Sequence, residues 1–276
     1  MQGKLILVGT PIGNLNDFSE RAIKTLEQCD LIAAEDTRVT AKLLNHFNIK
    51  KPMISYYEHN KNEKHDFLIN KMLEGQVICL VSDAGMPAIS DPGEDIVKLC
   101  YERGITVEVV PGATAFATAL TISGLSAKRF CFEGFLSTNK NNRIAHLEEL
   151  KNETRTMIFY EAPHKLIDTL KIMGEILGNR KISIVRELTK IYEEVIRTTF
   201  KEAYEKYKDN PLKGEIVLII EGAEKKEDKL TFEEAVSLAQ KLMEKGQSLN
   251  TASKEIASLS GFKKSDIYKA LLKEEG

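Results

Sequence analysis

Short apolar runs rich in β-branched residues alternate with amphipathic stretches along most of the chain. KLILVG, LIAAE, MISYY, QVICLVS and TVEVV predict strands, as do RFCFEGF, TMIFYEA, KISIVREL and GEIVLIIEG. Between them DFSERAIKTLEQ, TAKLLNHF, KHDFLINKMLEG, EDIVKLCYERG and HKLIDTLKIMGEILG carry apolar residues at helical spacing. Asp17 and Glu20 have the spacing of a capping box. Gly75, Gly104 and Gly178 stand where a helix ends on a left-handed residue. The alternation predicts α/β layers with largely parallel strands. PGATAFATALTISGLSAK, residues 111–128, is small in side chain and poor in strand formers. It predicts a boundary between a first α/β domain, 1–118, and a second, 119–224.

The pattern changes after GAEKKEDK, and residues 225–276 predict a third, helical domain. Thr231 and Glu234 repeat the capping-box spacing, and Phe232, Ala235, Val236, Ala239, Leu242 and Met243 mark one helix face. A second helix, TASKEIASLSG, ends at Gly261, and a third starts at Ser265 and carries Ile267, Leu271 and Leu272. Ala257, Gly261 and Ile267 have the A-x3-G-x5-I spacing of helix-turn-helix units. The same residues also suit a helical cap that touches no nucleic acid.

Composition narrows the classes. With 42% hydrophobic and 29% charged residues the chain is of ordinary globular type, and it has no run of 18 apolar residues for a membrane helix. MQGKLILVGTPIGNL reads as a first strand and turn, not a leader. Cys29, Cys79, Cys100 and Cys131 are scattered without a CxxC, which argues against a zinc site or a disulfide framework and for a reducing cytoplasm. Residues 1–118 carry 12 Lys and Arg against 16 Asp and Glu, and the whole chain is net −2. A protein that grips bare nucleic acid shows a basic excess. Any such partner is therefore met by local patches, such as Lys225, Lys226 and Lys229, or Lys263 and Lys264. His59, Glu63 and His65 have ligand chemistry, but NKNEKH reads as a solvated helix start, and no metal is expected.

Three loops carry candidate chemistry. GTPIGNL, Gly9–Leu15, leaves the first strand, and Glu35-Asp36 ends the second, as in a dinucleotide site. Yet G-x-x-x-G is not G-x-G-x-x-G, and Pro11 removes a backbone donor where a pyrophosphate needs one. VSDAGMPAISDPG, Val81–Gly93, follows the fourth strand, and PGATA, Pro111–Ala115, follows the fifth. All three gather at the carboxyl ends of strands, the ligand crevice of an open α/β sheet. Residues 9–14, 82–93 and 111–124 contain no Lys or Arg, so a polyphosphate does not fit. A neutral or cationic ligand held by backbone groups and a carboxylate does; S-adenosylmethionine, with a sulfonium and no phosphate, is one.

GTPIGNLND, AAEDTR, SDAGMPAISDPG, VVPGATA, FEGFL and FYEAPHKL, in this order over residues 3–222, resemble the tetrapyrrole-methylase superfamily. EDTR, EAPH and Ser82-Asp83-Ala84-Gly85 in place of G-D-P resemble its ribosomal-RNA branch, which methylates a ribose 2′-hydroxyl of a cytidine in the decoding region of 16S rRNA. The resemblance implies two α/β domains with S-adenosylmethionine in the cleft between them, a homodimer, and 16S rRNA within the 30S subunit as partner. It implies a cofactor site at Pro11, Ser82, Asp83, Ala84, Ile89, Thr114 and Ala115. Tyr160, Ala162 and Glu215 of the second domain would complete it. Glu35 or Glu161 would stand near the acceptor hydroxyl and Arg38 near a phosphate, although each also suits a loop ion pair or cap. Two other functions stay open: methylation of a tetrapyrrole, and a non-enzymatic RNA-binding assembly factor.

Overall fold

The computed structural model describes residues 3–58, 60–224 and 230–274. His59, Lys225, Lys226 and Lys229 lie outside the described residues. The chain forms two compact units, 1–223 and 224–276.

In the first unit, β1 (Lys4–Val8), α1 (Glu20–Gln28), β2 (Leu31–Ala34), α2 (Thr37–His46) and β3 (Met53–Ser55) come first. They are followed by α3 (Lys61–Leu73), β4 (Val77–Val81), α4 (Glu94–Glu102) and β5 (Thr106–Val110). The five strands form one parallel sheet in the order β3-β2-β4-β1-β5. Strands buried on both faces need apolar residues at every position, which is what LILV, LIAA and ICLV supply. One face packs Leu5, Leu7, Leu80, Ile96 and Cys100, the other Ile6, Val8, Leu26, Ile32 and Cys79. From β1 the chain moves toward β2; from β4 it crosses to β5 on the other side. The loops after β1 and β4 therefore diverge at a switch point and leave a crevice between them.

The helix starts differ in one detail. Residues 15–17 wind into a short 3-10 turn capped by Asn14, so the α1 cap is Ser19, which accepts from Ala22 N–H at 3.1 Å, and not Asp17.

The second half of this unit contains α5 (Ala115–Ser123), β6 (Phe130–Phe135), α6 (Lys140–Glu149), β7 (Thr156–Glu161) and α7 (Leu166–Leu177). It continues with β8 (Lys181–Arg186), β9 (Glu194–Thr199), α8 (Phe200–Tyr207) and β10 (Ile216–Ile220). Its sheet runs β6-β7-β10-β8-β9, and only β6 and β7 are parallel. The expectation of largely parallel strands fails here, because a doubly buried run such as IVLII looks alike in either direction. Residues 115–123 form a helix that packs Ala119 and Leu120 on Ile158, Val217 and Ile219 of this sheet. The expected boundary at 118 falls inside that helix, α5, which carries the chain directly from the first sheet onto the second.

The second unit contains α9 (Phe232–Glu244), α10 (Leu249–Ser260) and α11 (Lys264–Glu274). Thr231 and Glu234 form a reciprocal capping box. Ala235, Val236, Ala239, Ile256, Ile267 and Leu271 make a separate small core. Gly261 takes φ +76° between α10 and α11, and its N–H donates to Ala257. The third helix begins at Lys264, one residue before the expected cap at Ser265. Among the described residues no helix is long and apolar enough to cross a membrane.

The loops after β1 and β5 meet backbone to backbone: a Cβ on Gly112 would stand 2.9 Å from Gly9 Cα. Gly112→Ala is expected to lower unfolding free energy by about 1–3 kcal/mol, as overpacking does. Urea denaturation measures this; unchanged stability would mean that the two loops part freely.

Candidate active site

The three loops meet at the carboxyl edge of the first sheet and are stitched by backbone. Thr10 N–H donates to Gly85 O at 2.8 Å and Gly85 N–H returns to Thr10 O at 3.1 Å. The Thr10 hydroxyl donates to Ser82 O at 3.2 Å, and the Ser82 hydroxyl to Gly85 O at 3.3 Å. Gly112 N–H points at Met86 Sδ, 3.3 Å away. Between these loops and the second sheet lies a cavity of about 400 Å³, within the range of small-molecule sites. The first half contributes Ile12, Ala84–Met86, Ile89–Asp91 and Thr114–Phe116 to its wall. The second half contributes Phe135, Tyr160–Pro163, Val185, Leu188 and Glu215–Val217.

The second loop is strained where it faces the cavity. Ala88 and Ser90 take φ +67° and +66°, a left-handed backbone that costs a residue with a Cβ about 1–2 kcal/mol. These reversals flank Ile89 and precede Asp91, and all but Ala88 of this stretch lie on the wall. On the opposite side the Tyr160 hydroxyl accepts from Phe116 N–H at 3.2 Å, joining β7 to α5.

The site is electronegative. Among the described residues no Lys or Arg lines the wall. Burial, and then the charge of Glu35, push the Asp91 carboxyl up to about 6, against the lowering effect of the Ser82 hydroxyl. Burial also raises Glu35 and Asp83 above the ordinary carboxylate range. Lys190 is held 3.0 Å from Glu215, a residue of the wall, and 3.1 Å from Glu187. Such a cavity suits a ligand with flat apolar parts and positive charge.

The structure brings Ala84, Ile89, Thr114, Ala115, Tyr160, Ala162 and Glu215 together on this wall, with Glu161. Five expected residues are not on it. Pro11 lies in the loop one residue before Ile12, which is. Ser82 is buried, and its hydroxyl serves the loop itself, through Gly85 O and the Asp91 carboxyl. Asp83 Oδ1 accepts Asp36 N–H at 3.0 Å, and Glu35 Oε2 accepts Asp83 N–H at 3.2 Å, so both brace the loop. Arg38 is clamped on Asp36, the cap of its own helix, at 2.6 Å. Glu161, though on the wall, has both oxygens taken, by Ala162 N–H and the Thr169 hydroxyl. Asp91 is the carboxylate missed. It stands eight residues after Asp83 in the same stretch, and the signal that separates the two is backbone geometry.

The family described as Tetrapyrrole (Corrin/Porphyrin) Methylases matches residues 4–204. The Ribosomal RNA small subunit methyltransferase I of Halalkalibacterium halodurans is 50% identical over 271 residues, 97% of this chain and 94% of its own. The protein of that name from Synechocystis is 46% identical over 276 residues, 99% of each chain. The one from Thermotoga maritima is 46% identical over 222 residues, 80% of this chain and 100% of its own. Among solved structures, a cobalt precorrin-4 methyltransferase aligns with a TM-score of 0.60 at 17% identity, over 80% of this chain and 95% of its own. A uroporphyrin-III C-methyltransferase of Thermus thermophilus, complexed with S-adenyl homocysteine, gives 0.57 at 19% identity, over 79% and 97%. At these identities the two structures speak for the fold.

The raised Asp91 carboxyl has a sign that stability measurements can read. Its folded-state value lies above the unfolded one, so the folded state holds the proton more tightly, and this contribution to stability is lost as pH rises from the ordinary 3.8 through about 6. Asp91→Asn is expected to flatten that slope and to unfold no earlier than the wild type at pH 7.5. A thermal unfolding series from pH 4 to 8 checks it; early unfolding of the variant would make Asp91 a structural brace.

Proposed function

Because the chain belongs to the tetrapyrrole (corrin/porphyrin) methylase family, and within it to the ribosomal RNA small subunit methyltransferase I group, we propose that it methylates the ribose 2′-hydroxyl of a cytidine in 16S rRNA. It is an S-adenosylmethionine-dependent methyltransferase. The observation that carries the reading is the wall itself: three glycine-rich loop backbones, an apolar opposite face and carboxylates without a cation, around about 400 Å³. These residues fit an amino acid, a sulfonium and an adenosine far better than a polyphosphate.

Bound there, S-adenosylmethionine supplies a methyl already activated by positive sulfur. The chain has mainly to align the hydroxyl behind it. Asp91, on the wall, would face the cationic ligand. Ile12, Leu188 and Val217 exclude water. Glu35 and Asp83 hold the second loop in shape, and Glu161 ties the end of β7 to α7 through Thr169. The acceptor is the small subunit, met in the cytoplasm by a homodimer. Lys263 and Lys264, exposed where the turn passes into α11, suit docking on structured RNA. The Thermotoga relative matches a length close to that of the first unit alone. On this reading the helical unit adds to docking, and the chemistry belongs to residues 1–223.

Labelled cofactor and undermodified 30S subunits test the function. The label should map to a cytidine of 16S rRNA and resist alkaline cleavage, as a 2′-O-methyl does; label on a base or on a tetrapyrrole would overturn the reading. Asp91→Asn should weaken cofactor binding about tenfold to a hundredfold, the worth of a charge-assisted hydrogen bond of about 1.5–3 kcal/mol. Wild-type affinity should fall as pH drops through about 6, and the variant's should not. Removal of residues 224–276 should leave cofactor affinity intact and slow transfer to 30S; full-rate transfer would exclude docking by that unit. Sedimentation of the whole chain should give about twice 31.0 kDa.

A further inference from the structure

The β6 strand contains a one-residue bulge. Phe132 pairs with Ile158, but Gly134, not Glu133, pairs with Phe159, and Phe135 pairs with Tyr160. One residue is inserted, and side chains beyond it change face. Before the bulge, Cys131 packs into the core that holds Phe159, Leu166 and Leu170, and Glu133 meets His146 of α6 on the same side. Strict alternation would send Phe135 there as well. The bulge sends it to the opposite face, beside Tyr160 and onto the cavity wall. Gly134 makes the turn possible with φ +64°; a Cβ there would meet only Ser90 Oγ at 3.7 Å, so the glycine serves the backbone angle and not space.

The ring so placed gains little burial. Phe135 is 61% exposed. A single exposed apolar residue needs no explanation by itself. This one costs an inserted residue and a left-handed glycine, and it sits at the mouth of the transfer site. Behind it the support is firm: its ring centroid is 5.4 Å from Tyr160, Tyr160 meets Phe132 edge-on at 5.0 Å, and Phe132 stacks on Phe116 at 4.7 Å. A half-bare aromatic face on a rigid row is the platform on which unstacked bases are held in single-stranded recognition. A cofactor in the cavity would have most of its surface covered. The group that arrives last, from solvent, is the acceptor.

We propose that Phe135 stacks on the base of the acceptor nucleotide and so positions its ribose for methyl transfer. This rests on the RNA-methyltransferase reading above. Phe135→Ala and Phe135→Leu should each raise KM for undermodified 30S roughly tenfold to a hundredfold. The cofactor Kd should stay within about twofold, and Phe135→Tyr should stay near wild type, because flatness and not apolarity is required. The chain has no tryptophan, so Phe135→Trp introduces a single reporter. Its emission should be quenched by a short cytidine-containing RNA added with S-adenosylhomocysteine, and not by S-adenosylhomocysteine alone. Full activity of Phe135→Leu, or quenching by S-adenosylhomocysteine alone, would overturn the proposal, the latter by placing the adenine on this ring. Loss of the dimer on sedimentation of Phe135→Ala would overturn it too, by making Phe135 a subunit contact. If wild-type protein transfers no methyl to 30S, the functional reading fails; the quenching experiment still decides whether the ring receives a base.

Discussion

Backbone meets backbone where the loops after β1 and β5 pass each other. A Cβ on Gly9 would lie 2.7 Å from Gly112 Cα and 2.6 Å from Met86 Sδ, so nothing larger than hydrogen fits. The same closeness lets Thr10 reach Gly85 and draws the β4 loop into the group. Three residues after Gly112 the chain enters α5, and α5 lies on the second sheet. The position of the second wall is thus inherited from the contact at the first. A further tie holds the halves together at Gly13, where Thr189 and Lys190 leave no room for a Cβ.

On this frame the protein accepts electrostatic and conformational cost. Glu35, Asp83 and Asp91 crowd a partly desolvated edge, and all three hold their protons more firmly than free carboxylates. Ala88 and Ser90 keep left-handed backbone without the help of glycine. Strain and unbalanced charge concentrated in one loop are signs of a site shaped for a ligand. A cation entering the cavity relieves the charge, which converts a liability of the free protein into affinity.

Every strand but β9, and most helices, of the two sheets were legible, because each is a short apolar run or periodic segment bounded by Gly, Pro or a cap. Strand direction in the second sheet was not, since residues buried on both faces carry no trace of it. EVIRTT, which became β9, is too polar to stand out, and its Arg197 is aimed at the backbone of Ser123. The three loops of the cavity wall were legible as loops. The orientation of their acids was not: Asp83 and Asp91 differ by two left-handed residues that no glycine announces. Glu161 reads as a free acid at a strand end until Thr169, eight residues on, folds back to meet it. Phe135 needs a residue count against β7 before its face can be assigned. In the helical unit Ala257, Gly261 and Ile267 were legible because the spacing encodes the turn, and Gly261 takes the left-handed angle the turn needs.

The kink in β6 has a second consequence. This strand ends its sheet, so one row of its N–H and C=O groups has no neighbour in the sheet. A flat edge reading Phe-Cys-Phe followed by another Phe would be a template for strand addition by other chains during synthesis and folding. The inserted residue twists the edge and breaks its register after Phe132. At the other end of the sheet, β9 carries Glu194 and Arg197 instead and needs no such interruption. The insertion that aims one aromatic ring outward also keeps an aromatic strand from seeding aggregation, so straightening it would threaten solubility before it touched the chemistry.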